Sequence, residues 1–325
     1  MNVTSAPEVL RPLSLGELLD RGVTLCVRFF LPLASLYAVF AVPYGFAQYF
    51  ATRDLQKTFA IVGQMIRIQT VGGRPLDPTA LSAILAHYPV FTPSLALLLL
   101  ANFLIAPLPL AALIQSTSAF YLGSRPTFGQ AYRVALERWL PLIGLNFLYL
   151  GAGIGLYVVV TIVLFVLILG VAFLAMAAHG VGIALATVVG VGAFLAVIAV
   201  AVIFLLALET SYFTCVVEHA PALRAFSVGI ARVLGRVGLR RALFVGSAYF
   251  AISLGVFVAS AVGNALIVGL VHSPVVSAVY TLLLRIAVVT FLSAFFAIFY
   301  FDLRVREEGL DLQVAAQQAA PLADA

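Results

Sequence analysis

An all-α integral membrane protein, with about six transmembrane helices and amphipathic cytoplasmic helices in a three-fold repeated unit, is the fold class that three observations predict. The first is composition: 63% of the 325 residues are hydrophobic and 10% charged, with a mean hydropathy of +1.14. A soluble domain carries roughly a quarter charged residues and has no interior large enough for so much apolar surface, so a bilayer has to supply the burial. The second is length, because apolar stretches recur that match the roughly 20 residues a helix needs to cross the hydrocarbon core. The third is grammar: at 14–50, 126–178 and 222–271 a short arginine-bearing segment of helical periodicity runs into a long apolar stretch. The chain thus divides into a cytoplasmic amphipathic segment (1–28), a polytopic membrane domain (29–303) with an outer loop at 51–92, and a cytoplasmic tail (304–325).

The first unit opens on Ser14-Leu15-Gly16-Glu17, an S-x-x-E capping box in which hydroxyl and carboxylate satisfy orphan amides, so a helix is expected to start there. Leu15, Leu18, Leu19, Gly22 and Cys26 then share one face, and Glu17, Asp20, Arg21, Thr24 and Arg28 the other. A span at 29–50 follows. In the outer loop, Leu55, Phe59, Val62 and Ile66 predict an amphipathic helix ended by Gly72-Gly73-Arg74-Pro75, with a second short helix from Asp77 or Pro78 toward His87. The span at 93–121 carries Pro107-Leu108-Pro109, where missing backbone donors predict a kink.

The second unit repeats the grammar with a T-x-x-Q box, Thr127-Phe128-Gly129-Gln130, and Arg133, Glu137 and Arg138 on its polar side. Basic residues flank the apolar region from Trp139 to Leu208, so it contains an even number of crossings. Two long spans, 139–177 and 181–214, with a turn at Ala178-His179-Gly180-Val181-Gly182, are preferred to four short ones, because further breaks would expose backbone to lipid. In the third unit Arg224, Arg232, Arg236 and Arg240 fall at multiples of four opposite Leu223, Phe226, Ile230 and Val233, before spans at 242–270 and 276–301. These helices are expected in the cytoplasmic headgroup layer, with Arg21, Arg28, Arg133, Arg138, Arg224, Arg232, Arg236 and Arg240 contacting anionic phospholipids.

A cytoplasmic N-terminus puts most of the 18 basic residues inside, leaving Arg53, Lys57, Arg67 and Arg74 outside and Arg285 within a span. Both termini are therefore expected in the cytoplasm, and the first 28 residues carry no cleavable-signal pattern. Arginine in place of lysine, with abundant Ala, Val and Gly, points to a GC-rich bacterial genome and hence to the bacterial cytoplasmic (inner) membrane. Cys26 and Cys215 lie near cytoplasmic ends, where no disulfide is expected. The net charge of +5 sits beside spans without an aromatic-interleaved soluble domain, which favours the lipid bilayer, or a membrane or cytoplasmic protein partner, over nucleic acid.

No G-x-S-x-G, H-E-x-x-H or C-x-x-C pattern occurs, so no catalytic residue, cofactor or metal is expected. Gly151, Gly153 and Gly155 read as close helix packing inside a span. His87, His179 and His272 all fall at outer hairpin tips, where solvation explains them better than a metal cluster. Arg285, flanked by leucines, costs several kcal/mol unless paired or hydrated. It defines a candidate intramembrane polar site with Glu209, Asn102, Asn146 and Asn264, and Glu209 is the expected partner.

The run Arg11-Pro12-Leu13-Ser14-Leu15-Gly16-Glu17-Leu18-Leu19-Asp20-Arg21 resembles the opening signature of the glycerophosphoryl diester phosphodiesterase membrane-domain family. Tyr300-Phe301-Asp302-Leu303-Arg304-Val305-Arg306-Glu307-Glu308-Gly309-Leu310-Asp311-Leu312 resembles its closing signature. The resemblance implies a polytopic helical domain, in some proteins fused to a catalytic phosphodiesterase domain. The His-Arg pair of that hydrolase is absent, since His87, His179, His219 and His272 are followed by Tyr, Gly, Ala and Ser. The expected function is a non-catalytic scaffold or accessory protein contacting anionic headgroups or a partner. The alternative is a transporter or lipid-handling protein with a polar cavity around Arg285, and an intramembrane enzyme ranks third.

Overall fold

The computed structural model describes residues 11–71 and 93–313, without the side chains of 53–71, 174–183, 186 and 236. The expected second loop helix and the glycine break before it lie outside the described residues. Those residues form helices and no strand: α1 (Leu15–Arg28), α2 (Phe30–Val71), α3 (Pro93–Ile105), α4 (Pro107–Tyr121), α5 (Phe128–Glu137), α6 (Trp139–Val217), α7 (Ala222–Leu234), α8 (Arg236–Val271) and α9 (Pro274–Glu308). Six segments are long and apolar enough to cross a membrane: Phe30–Thr52, Pro93–Tyr121, Trp139–Phe173, Thr187–Val217, Val237–Val271 and Pro274–Glu308. The chain is a multi-pass membrane protein.

The predicted helix starts hold in atomic detail. Ser14 Oγ accepts from Glu17 N at 3.3 Å and the Glu17 carboxylate accepts from Ser14 N at 2.8 Å. Those Ser14 groups, with Arg11 beside them, lower the Glu17 carboxyl to about 2. At α5, Thr127 Oγ1 and Gln130 Oε1 exchange the same two bonds. The helical backbone expected in the outer loop is present as a continuation of α2 to Val71.

Helical hydrogen bonding runs through all 79 residues of α6, yet α6 is no straight rod. Residues 149 and 211 would stand about 93 Å apart at 1.5 Å per residue. Instead Tyr149 Oη meets Ser211 Oγ at 2.7 Å, Tyr212 donates to Asn146, and Gly153 packs on Phe204. These antiparallel pairs centre near residue 179, where the sequence places the turn, so α6 supplies two crossings. Trp139–Phe173 and Thr187–Val217 are each long and apolar enough to cross a membrane once, which favours two crossings over four.

Proline breaks the second long segment as expected, between Ile105 and Pro107. Pro107 has no N–H for the Phe103 carbonyl four residues earlier. Asn146 Nδ2 fills that place at 3.1 Å, and Trp139 Nε1 donates to Leu104 O at 2.7 Å. Two side chains of the first α6 arm thus repair the ladder of the neighbouring span.

The core lies toward the face that carries both described ends, the terminal face. Leu13, Leu18, Ala135, Leu142, Leu145, Phe213, Val233, Phe295, Phe299 and Tyr300 are all buried there. Toward the opposite, distal face the helices expose Ile162, Phe165, Ile168, Phe173, Val188 and Phe194, the surface that lipid tails cover. Packing at the terminal end is tight enough to demand glycine. A methyl on Gly229 of α7 would lie 2.8 Å from both Ser211 Cα and Ser211 N, backbone that cannot turn aside. Gly229→Ala is therefore expected to cost about 1–3 kcal/mol through overpacking, read as a lowered melting temperature in detergent. Gly129→Ala, with open space around its Cβ, is the control that should leave melting unchanged.

Candidate functional site

Two polar assemblies stand apart in the apolar body. The first is an ion network on the terminal face, built from the end of α6, from α7 and from the last turns of α9. Arg232 Nη1 donates to Glu218 Oε1 at 2.5 Å and to Thr214 Oγ1 at 2.8 Å. Its Nε donates to Glu308 Oε1 at 2.9 Å, and Nη2 donates to the same oxygen. Tyr300 Oη donates to Glu218, and Arg304 Nε reaches Glu308 Oε2 at 2.9 Å. Burial would raise the Glu218 carboxyl, but hydrogen bonds from Arg232 and Tyr300 and the charges of Arg232 and Arg304 outweigh it, and the group is held below its ordinary value. Arg232 is 5% exposed. It therefore does not face the headgroup layer, as its place in the basic stripe led us to expect, because two carboxylates draw it inward.

Beside that network the two ends of the chain interlock. Leu13 N donates to Asp302 Oδ1 at 2.9 Å, and Leu13 O accepts from Arg241 Nη2 at 2.6 Å and Arg306 Nη2 at 2.8 Å. Asp302, its side chain 0% exposed, also accepts from Arg306 Nε at 3.1 Å and lies 2.8 Å from Arg241 Nη1. One buried carboxylate and two guanidiniums thus hold both polar groups of a single peptide residue. Leu13, Asp302 and Arg306 belong to the two terminal signatures, Arg241 to α8, and their meeting is not readable from either signature alone. The i,i+4 pairs Asp302/Arg306 and Arg304/Glu308 at the end of an apolar helix were the available signal.

The second assembly is a cavity of about 790 Å³ between α2, α8 and α9, reaching from Pro274 beside the distal α8–α9 turn to Val289. Gln48, Tyr49, Thr52, Ser253, Ser260, Ser277 and Thr281 supply its polar lining, and Val256, Phe257, Leu282, Val288 and Val289 its apolar walls. Arg285 is the one charged side chain among the described lining residues. Its Nη1 donates to Gln48 Oε1 at 3.4 Å and its guanidinium lies 5.2 Å from the centre of the Tyr44 ring. The wall formed by α8 and α9 is fastened by Asn264, which accepts from Ser277 and Thr281 and donates to Ser260 O at 2.8 Å. Tyr280 Oη donates to Ala259 O at 2.9 Å across the same seam.

The expected cluster around Arg285 therefore divides. Glu209 is half-buried on α6, which does not line the cavity, and it forms no ion pair or hydrogen bond among the described residues. Gln48 and Tyr44 hold Arg285 instead, because the α2 side chains reach it across the α2–α9 seam. Asn146 serves the proline break, Asn102 is half-buried on α3, and Asn264 supports the cavity wall from behind. Of the headgroup candidates, Arg28, Arg133, Arg224 and Arg240 are exposed. Arg21 is half-buried and donates to Tyr121 Oη at 3.5 Å, and Arg138 is half-buried and donates to His219 O at 2.9 Å. The Arg236 side chain, His87 and the His179 side chain lie outside the described residues. No group of three or more His, Cys, Asp and Glu suited to a metal ion occurs among the described residues.

The chain matches no family model, no curated protein and no solved structure.

Proposed function

We propose that this chain is a non-catalytic, lipid-handling protein of the bacterial cytoplasmic membrane that admits an anionic amphiphile into the cavity around Arg285. The reading rests on one observation: a single cation, with no acidic residue among the described lining residues, stands in a cavity bounded by three apolar helices. An arginine in such a place is tolerated when hydrated or matched by an anion, and intramembrane ionisable groups mark ligand paths by default. The distribution of basic residues supports cytoplasmic termini and a cavity on the outer side. The short helices α1, α5 and α7, each placed before a long apolar helix, support the three-fold amphipathic unit, and the terminal signatures support membership of the membrane-domain family they resemble.

Protein purified in detergent is expected to retain phospholipid through exhaustive washing, measured as lipid phosphorus per chain. Arg285→Gln should lose that retained fraction, while its melting temperature stays within the change of an exposed substitution. Equal phosphorus in both proteins would remove the cavity as a lipid site. A scaffold role is the second reading, favoured by the exposed Arg28, Arg133, Arg224 and Arg240. In that case the four-fold glutamine variant, and not Arg285→Gln, would lower the protein's affinity for anionic vesicles, each cation contributing roughly 1 kcal/mol.

A further inference from the structure

We infer that the cavity selects its lipid by headgroup, taking a net-anionic phospholipid whose headgroup carries free hydroxyls and rejecting one that carries an amine. The inference rests on the lipid-handling reading and adds the headgroup class and the pose. It follows from the order of chemistry along the cavity. The start of α9 at Pro274 marks the distal mouth, and Arg285 lies eleven residues further on, about 16 Å deeper at 1.5 Å per residue. Between them, Ser277 and Thr281 line the cavity while their hydroxyls donate to Asn264 Oδ1, and Ser260, which accepts from Asn264 Nδ2 at 3.4 Å, faces them from α8. Beyond Arg285 the lining turns largely apolar at Val288 and Val289. Hydroxyls, cation and apolar wall therefore succeed one another in the sequence in which a lipid presents headgroup, phosphate and acyl chain to a helix it lies along.

Each zone discriminates by ordinary chemistry. With the Ser277 and Thr281 protons held by Asn264, their lone pairs accept from a headgroup hydroxyl, and the Ser260 hydroxyl donates to one, without requiring a charge. An ammonium headgroup would need a carboxylate, and none lines the described cavity. The Arg285 guanidinium, held over the Tyr44 ring, repels a second positive charge and so opposes an ammonium beside Tyr49 or Phe257 of the lining. The guanidinium fork meets a phosphate through two parallel bonds once Gln48 yields its weak 3.4 Å contact.

Delipidated protein, titrated with phosphatidylglycerol, phosphatidylethanolamine and phosphatidic acid of one chain composition and read by native mass spectrometry, tests this. Phosphatidylglycerol is expected to bind about tenfold more tightly than phosphatidylethanolamine, and Arg285→Gln to abolish the difference while Arg285→Lys keeps part of it. Ser260→Ala, which leaves the Ser277 and Thr281 bonds to Asn264 in place, should bring phosphatidylglycerol down toward the level of phosphatidic acid. Arg285-dependent binding that is equal for the glycerol and ethanolamine lipids would overturn the headgroup assignment and leave the cavity reading standing. Binding of no lipid in an Arg285-dependent manner would overturn both. Soluble glycerol 3-phosphate binding as tightly as the lipid would overturn the assignment of a membrane source.

Discussion

Arg232→Leu is expected to remove about 3–5 kcal/mol of stability, the range for breaking a buried ion pair by deleting one partner. The loss is large because Arg232 serves Glu218, Glu308 and Thr214 at once, and two carboxylates remain with only Arg304 to compensate them. Thermal unfolding in detergent measures it, with the exposed Arg224→Ala and Arg240→Ala as controls expected within about 0.5 kcal/mol of the parent. The pH dependence follows from the signs. In the parent, the Glu218 carboxyl is depressed, so its contribution is complete above the unfolded value of about 4.3 and is lost as pH falls through the folded value. Without Arg232, the burial that raises this carboxyl is opposed only by Tyr300 and Arg304, so protonation is expected to relieve part of its cost. The deficit of Arg232→Leu should accordingly narrow between pH 7 and pH 5. A deficit that is small, or that does not change over that interval, would mean that the network carries no net electrostatic stabilisation.

Asp302→Ala is expected to free the N-terminal segment. The carboxylate holds Leu13 N and neutralises Arg241 and Arg306, which in turn hold Leu13 O. Removing it leaves two guanidiniums facing each other across one carbonyl, again a change of about 3–5 kcal/mol. Most of that cost falls locally, since the guanidiniums can part only by releasing Leu13. Hydrogen exchange at the Leu13 amide should accelerate about a hundredfold for each 3 kcal/mol lost from the local opening free energy. Asp302→Asn, which keeps an acceptor for Leu13 N but no charge, should fall between parent and alanine variant. Parent-like exchange at Leu13 in Asp302→Ala would show that the segment is held by the packing of Leu13 and Leu18 alone.

Local rules made much of the architecture legible. Capping boxes at Ser14 and Thr127 are encoded within four residues, and apolar run length is a direct count against bilayer thickness, so helix starts and crossings were within reach of one sequence. Proline told where a ladder breaks, though not that Asn146 would mend it. The polar site was only partly legible, because depth along a span had to be inferred by counting from an assumed boundary. Arg285 and Glu209 matched by such counting, yet the residue that reaches Arg285 is Gln48 of α2. The basic stripe of α7 failed at Arg232 for a related reason. Periodicity assigns a face, and whether that face meets water or two carboxylates from α9 and the end of α6 depends on partners far along the chain.

The bond from Leu13 to Asp302 spans 289 positions in sequence, which gives it a meaning in time. At roughly 5–20 residues per second, the partner of Leu13 is synthesised some quarter of a minute to a minute after Leu13 itself. Throughout that interval Leu13 has neither Asp302 nor Arg306 to bind, although the capping box beside it needs no distant partner. The locking of Leu13 therefore waits for α9, since Asp302 and Arg306 both lie near the end of that helix.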